Sequence, residues 1–169
     1  PALDQPLPRE GIGPERTRVG EASVVERMKV VNAVLGGEGN GGVIIPELNF
    51  TRDGLVAAAT VLGLLSENAG PLSVIRQSIP EYHRVKTTVA MSREQFNSCA
   101  DKLAAEFGDA QQEKRDGLKL SGQDYWLHCR ASNTEPMVRL IAECHTEAQV
   151  ADVVQPAQRV LANGGKDKA

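Results

Sequence analysis

The sequence predicts an α/β unit followed by a small α+β domain. Short apolar runs alternate with helical patterns up to Pro80, as in layered α/β structure. Beyond Pro80 several strand-like runs are bracketed by two helices that each open on a capping signal. Between them the boundaries divide the chain into an irregular segment over residues 1–15, an α/β portion over 16–80, an α+β domain over 81–162 and a frayed tail over 163–169.

The first residues are rich in Pro and Gly (Pro1, Pro6, Pro8, Gly11, Gly13, Pro14). A short extended segment at Arg16–Val19 leads through Gly20 into a helix at Ser23–Val31, with Val24, Val25 and Met28 on one face. Ala33–Gly36 reads as a buried strand and Val43–Pro46 as a second one. Asp53 is a good N-cap for a helix over Gly54–Asn68, and Gly70 a good stop. The apolar stretch Gly54 to Ser66 spans thirteen residues, too short for a bilayer and suited to a core helix. Pro71 then starts a shorter helix reaching Ile79.

After Pro80, a strand at Tyr82–Ala90 precedes a helix at Arg93–Phe107, opened by the Ser92/Gln95 capping box and closed by Gly108. Asp116-Gly117 between Gln111–Arg115 and Leu118–Leu120 signals a hairpin. Strands at Tyr125–Arg130 and Met137–His145 follow, then a second capping box at Thr146/Gln149 for a helix to Leu161. The expected order is β-α-β-β-β-α, a small antiparallel sheet with both helices on one face.

Composition narrows the function classes. The chain has 169 residues, 41% hydrophobic and 24% charged, which is globular rather than disordered. A net charge of −3 argues against nucleic acid, and 4% aromatics against a base-stacking surface. Cys99, Cys129 and Cys144 are odd in number and show no C-x-x-C spacing, and His83, His128 and His145 fall at no ligand-like interval. Three reduced thiols, no metal site and a cytoplasmic location are expected, with no secretion signal and no membrane segment.

Two loops carry chemistry. Arg130-Ala131-Ser132-Asn133-Thr134-Glu135-Pro136 gathers a guanidinium, two hydroxyls and a carboxamide between apolar runs. An Arg fork matches two phosphate oxygens and the other side chains can donate to the third, so a phosphate ligand is expected; a plain polar turn ended by Pro136 is the alternative. Gly36-Gly37-Glu38-Gly39-Asn40-Gly41-Gly42 contains a literal G-x-G-x-x-G at Gly37, Gly39 and Gly42. A dinucleotide site requires a helix to open on the last glycine, and here the strand-like Val43-Ile44-Ile45-Pro46 follows. Two readings stand: a hairpin with a type I′ turn at Asn40-Gly41, or a loop whose glycines admit a ligand while Glu38 takes adjacent sugar hydroxyls. Together the loops suggest a ligand with a hydroxyl-rich end and a phosphate end. Charges at Glu21, Glu26 and Arg27 fit a solvated helix face. His128 and Cys129 alternate across a strand, one to core and one to surface.

These motifs, their order and the run Thr17–Met28 resemble the α-D-phosphohexomutases, the phosphomannomutase and phosphoglucomutase superfamily, from about Thr17 to about Leu161. Gly37–Gly42 is similar to the family's sugar loop in a GEGNGG form, with Arg52-Asp53-Gly54 opening the next helix, and Arg130–Pro136 with Met137-Val138-Arg139 to the phosphate loop of its fourth domain. The resemblance implies the C-terminal part of an isomerase that moves a phosphoryl group between positions 1 and 6 of a hexose. It assigns sugar binding to Glu38, Asn40 and Gly42, and phosphate binding to Arg130, Ser132, Asn133 and Thr134, supported by Arg139. In such enzymes a phosphoserine donates to the sugar, with Mg²⁺ and a hexose 1,6-bisphosphate intermediate. Many relatives carry Ser and His where this chain has Asn40 and Gly42, and some carry His in place of Glu21. Neither a T-x-S-H-N-like phosphorylation run nor a D-G-D-x-D-R metal loop occurs in the sequence, so no catalytic or metal residue is expected here. The first portion then reads as a remnant of an α/β/α third domain, and the expected partners are a hexose phosphate, the missing N-terminal domains, and a second copy at an open sheet edge. A non-catalytic phosphosugar-binding module and a structural interaction protein are the alternatives.

Overall fold

A computed structural model describes residues 13–68, 70–77 and 79–164. They form two compact units, residues 13–80 and 81–164. Among them no helix is long and apolar enough to cross a membrane.

In the first unit, helix α1 (Glu21–Val31) starts two residues before the expected Ser23 and ends on Asn32 in the left-handed region, φ 51. Its Val24 and Met28 bury against Ile44, with Val25 and Ala33 alongside. That is the apolar face read from the sequence. Strands β1 (Gly36–Gly37) and β2 (Val43–Ile44) pair antiparallel, Gly36 opposite Ile44 and Gly37 opposite Val43. The expected buried strand Ala33–Gly36 is not formed: Val34 and Leu35 are 80% and 61% exposed, and pairing begins only at Gly36. β2 stops before Pro46, which has no N–H to donate to a ladder. Arg16–Val19 joins no sheet.

Asp53 caps helix α2 (Gly54–Asn68) as expected, its Oδ1 accepting from the N–H groups of Leu55 at 2.9 Å and Val56 at 3.0 Å. The expectation of a core helix fails. Leu55 and Leu62 are 84% and 66% exposed, because the pattern is apolar around most of the helix and this unit covers little of it. Helix α3 (Leu72–Gln77) is shorter than expected and buries nothing; residue 78 lies outside the described residues, as do residues 1–12 and the tail from residue 165.

The second unit runs β3 (His83–Ala90), α4 (Arg93–Glu106), β4 (Gln111–Glu113), β5 (Leu118–Ser121), β6 (Tyr125–Ala131), β7 (Met137–Cys144), α5 (Glu147–Gly164). The antiparallel sheet has the order β3-β7-β6-β5-β4. It holds one strand more than β-α-β-β-β-α, because the three-residue β4 pairs with β5 and both sides of the Asp116-Gly117 turn enter the sheet.

Strand alternation sorts its faces. Leu118, Leu120, Leu127, Cys129, Val138, Leu140 and Cys144 are all at most 2% exposed and pack with Phe96 and Leu103 of α4 and Val150, Ala157 and Leu161 of α5. Both helices thus share one face. Both capping boxes form: Gln95 N–H donates to Ser92 Oγ at 3.3 Å and Ser92 N–H to Gln95 Oε1 at 2.8 Å, with Thr146 and Gln149 repeating the pattern at 3.0 and 3.2 Å. The three cysteines are buried free thiols, and burial pushes Cys129 up to about 12, far from a thiolate at neutral pH.

Candidate functional site

The phosphate-type loop leaves the end of β6 and returns on β7. Ser132 N–H donates to the Met137 carbonyl at 2.8 Å and Met137 N–H to Glu135 at 2.8 Å, closing a tight connection. Thr134 N–H donates to Ser132 Oγ at 3.4 Å, and the two hydroxyls lie 3.4 Å apart. Ser132, Asn133 and Thr134 are therefore gathered in one turn, with the latter two exposed. Arg130 and Arg139 lie directly opposite each other across β6 and β7, on the sheet face away from the helices. Like charges placed so are unfavourable without an anion. Asp116 supplies one, its Oδ2 standing 3.2 Å from Arg130 Nη1.

Two further residues join the site that sequence reasoning did not single out. Asp116 was read only as a turn residue; its carbonyl also accepts from the His128 ring at 2.5 Å, which pins the turn beside β6. Arg93, at the start of α4, donates to Asn133 Oδ1 at 2.5 Å and to the Ser132 carbonyl at 3.4 Å. A separation of about 40 residues gave no signal for that contact; the only hint was a cation directly after an N-cap. Arg93, Arg130, Asn133 and Lys114 line a cleft of about 340 Å³ with Asp116 and Gly117.

The glycine loop is a hairpin, but not the type I′ form. Gly41 N–H donates to the Glu38 carbonyl at 3.1 Å and Glu38 N–H to the Gly42 carbonyl at 3.1 Å, which encloses Gly39, Asn40 and Gly41. Only Gly41 of the three takes positive φ, 93°, whereas type I′ needs it at Asn40 as well. Asn40 Oδ1 accepts from Gly42 N–H at 3.0 Å, leaving its amide donors for a ligand. Glu38 is not a solvated loop carboxylate. Its side chain is 15% exposed, Oε1 accepts from Gly20 N–H at 3.0 Å, and Oε2 stands 3.5 Å from Arg52 Nη1.

Beside this loop lies an open cleft of about 510 Å³ whose lining includes Glu21, Asn40, Arg52 and Asp53. Hydrogen bonds from Thr51 and Arg52 hold the Glu21 carboxyl down to about 2. Donation by the Val56 and Leu55 amides lowers Asp53. Both are ionised at neutral pH, so carboxylates outnumber the one guanidinium. Among the described residues no group of three His, Cys, Asp or Glu side chains is placed to hold a metal ion.

Comparison with known proteins gives this geometry its class. The family model described as phosphoglucomutase/phosphomannomutase, alpha/beta/alpha domain III matches residues 1–82, and the model of the C-terminal domain of the same family matches residues 88–158. A probable phosphoglucosamine mutase of Pyrococcus horikoshii is 32% identical, covering 98% of this chain and 38% of that protein. A phosphoglucomutase/phosphomannomutase of Thermococcus kodakarensis is 30% identical over 94% of this chain and 35% of its own length. The crystal structure of a phosphoglucomutase/phosphomannomutase family protein from Burkholderia thailandensis superposes with a TM-score of 0.78 at 26% identity, covering 95% of this chain and 34% of that one. The fold and the order of its two loops are those of the phosphohexomutase class. The chain belongs to the α-D-phosphohexomutase superfamily and carries the C-terminal portion of that architecture, spanning a little over a third of the length of the curated relatives it matches.

Proposed function

We propose that this chain recognises a hexosamine phosphate, its first unit taking the sugar and its second the phosphate. The observation that carries the reading is the Arg130–Pro136 turn, which gathers Ser132, Asn133 and Thr134 next to strand positions where Arg130 and Arg139 are cross-strand partners. A phosphate dianion there accepts from the Arg fork, the hydroxyls and the Asn133 amide, and relieves the Arg–Arg repulsion. In the glycine loop Glu38 accepts from sugar hydroxyls while Asn40 donates to them. The acidic cleft beside them favours an ammonium substituent over a hydroxyl, which agrees with the printed name of the Pyrococcus relative.

For the whole protein we propose an isomerase that moves phosphate between the 1- and 6-positions of such a sugar, the phosphoserine, Mg²⁺ and 1,6-bisphosphate chemistry resting on parts that this sequence does not hold. Holding the remote phosphate orients the reacting end, which is how such binding acts on rate. The chain by itself turns nothing over, for want of a nucleophile. Phosphorus NMR of the purified chain with glucosamine 6-phosphate, glucosamine 1,6-bisphosphate and Mg²⁺ tests this. No 1-phosphate is expected, with binding tighter than that of glucose 6-phosphate. Conversion above a no-protein control overturns the division of labour, and equal binding of the two sugars overturns the amine preference.

A further inference from the structure

We propose that Arg52 is a positioning residue for Glu38, and that Gly42 is a glycine because the Arg52 stem occupies the space of a side chain there. The inference rests on the sugar-loop reading above and deepens it.

Within the loop Glu38 is flanked by Gly37 and Gly39, and the Asn40 side chain is engaged with Gly42 N–H rather than with Glu38. Untethered, a Glu on such a backbone samples many rotamers, and ordering it on binding costs free energy. Two contacts remove that freedom: the Gly20 N–H on Oε1, and the Arg52 guanidinium 3.5 Å from Oε2. Each carboxylate oxygen keeps a further lone pair, so two adjacent hydroxyls can still donate to Glu38 with the tether in place.

Arg52 is itself held. Its Nε donates to Glu21 Oε2 at 2.8 Å, its backbone N–H to Glu21 Oε1 at 3.1 Å, and Thr51 Oγ1 donates to that same oxygen at 2.8 Å. Glu21 sits in the first turn of α1, and Asp53, the residue after Arg52, donates its N–H to the Val43 carbonyl at 3.0 Å. The guanidinium is therefore held by Glu21 of α1 while the backbone beside Arg52 is tied to β2, and it bridges Glu21 to Glu38.

The stem of Arg52 lies over Gly42. A Cβ at Gly42 would collide with Arg52 Cδ and stand 2.9 Å from Cγ. Those are mid-chain atoms, so any side chain at 42 must drive Arg52 out of its bridge. The Arg reaches in from the segment just before α2. Glu21, Arg52 and Gly42 thus belong to one arrangement.

The test measures glucosamine 6-phosphate binding by amide NMR for the full chain, Arg52→Ala, Arg52→Met, Glu38→Gln and the double variants. Arg52→Met keeps an aliphatic stem over Gly42 and guards against collapse of the loop. Loss of a charged hydrogen-bonding partner predicts about tenfold weaker binding for either Arg52 variant, and less than about twofold when Glu38 is already Gln. Lys at 52 restores little, because one ammonium cannot bridge both carboxylates as the fork does. Equal losses in both backgrounds would assign Arg52 a merely structural role and overturn the proposal, as would unchanged binding. The Gly20 amide provides a readout that needs no ligand: its resonance moves in Arg52→Met if Arg52 holds Glu38, and an unmoved resonance overturns the proposal. If the wild-type chain binds no sugar phosphate, the sugar-loop reading falls while the Gly20 signal still decides the role of Arg52.

Discussion

Arg93 donates to the side-chain oxygen of Asn133 at 2.5 Å, joining the first residue of α4 to the middle of the phosphate-type turn. With its acceptor occupied, the Asn133 carboxamide has only its NH₂ end to offer an anion. The same guanidinium reaches the Ser132 carbonyl at 3.4 Å, so it braces backbone and side chain together.

Replacing Arg93 by Ala frees the amide to rotate and removes a cation from the cleft. A net loss of about 1 kcal/mol is expected, or about fivefold weaker binding of inorganic phosphate. Titration calorimetry or amide NMR reads it. Arg93→Lys should recover only the charge component, which salt screens.

Asp116 pairs with Arg130 at 3.2 Å, both side chains about a quarter exposed, and on the proposed function an incoming phosphate has to displace it. Asp116→Asn should strengthen phosphate binding by about twofold to fivefold at low salt, the scale of a partly exposed ion pair. Weaker binding instead would mean that Asp116 orients Arg130 rather than competing for it.

Glu21 predicts a pH dependence in the first unit. Its carboxyl is lowered from 4.5 to about 2, first by the Thr51 hydroxyl and then by Arg52. A group depressed on folding stabilises fully above its unfolded value and loses that contribution as pH falls through its folded value. The melting-temperature advantage of wild type over Glu21→Gln should therefore hold above about pH 4.5 and shrink toward about pH 2. A constant advantage across that window contradicts the assignment.

The core of the second unit depends on few large side chains. Leu140 is 0% exposed between the helices and the sheet, and Leu140→Ala should cost about 2–5 kcal/mol, read by urea denaturation. Arg139→Ala, next to it on the opposite face, should leave stability nearly unchanged while weakening phosphate binding.

Most of what is local was legible in the sequence. Both capping boxes, the Asp53 cap and the alternation in β6 and β7 follow from residues a few positions apart, and each appears in the structure. Contacts that join distant segments were not legible: Arg93 to Asn133, Asp116 to Arg130, and Glu21 through Arg52 to Glu38. Burial in the first unit was misread for a related reason. Val34, Leu35 and Leu55 are apolar enough for a core, yet apolarity specifies a need for cover and not what supplies it. The GEGNGG turn shows the limit even of local signals, since Asn-Gly permits type I′ while pairing of Glu38 with Gly42 selects a three-residue loop.

On the proposed function the Arg130–Pro136 turn binds the phosphate of a sugar phosphate. An amide NMR titration of the ¹⁵N-labelled chain with glucosamine 6-phosphate tests it most directly. Saturable shifts are expected at Ala131 to Thr134 and at the side-chain signals of Arg93 and Arg130, all lost in Arg130→Ala. A well-dispersed spectrum in which those signals stay fixed at saturating ligand, or move equally in Arg130→Ala, would contradict it.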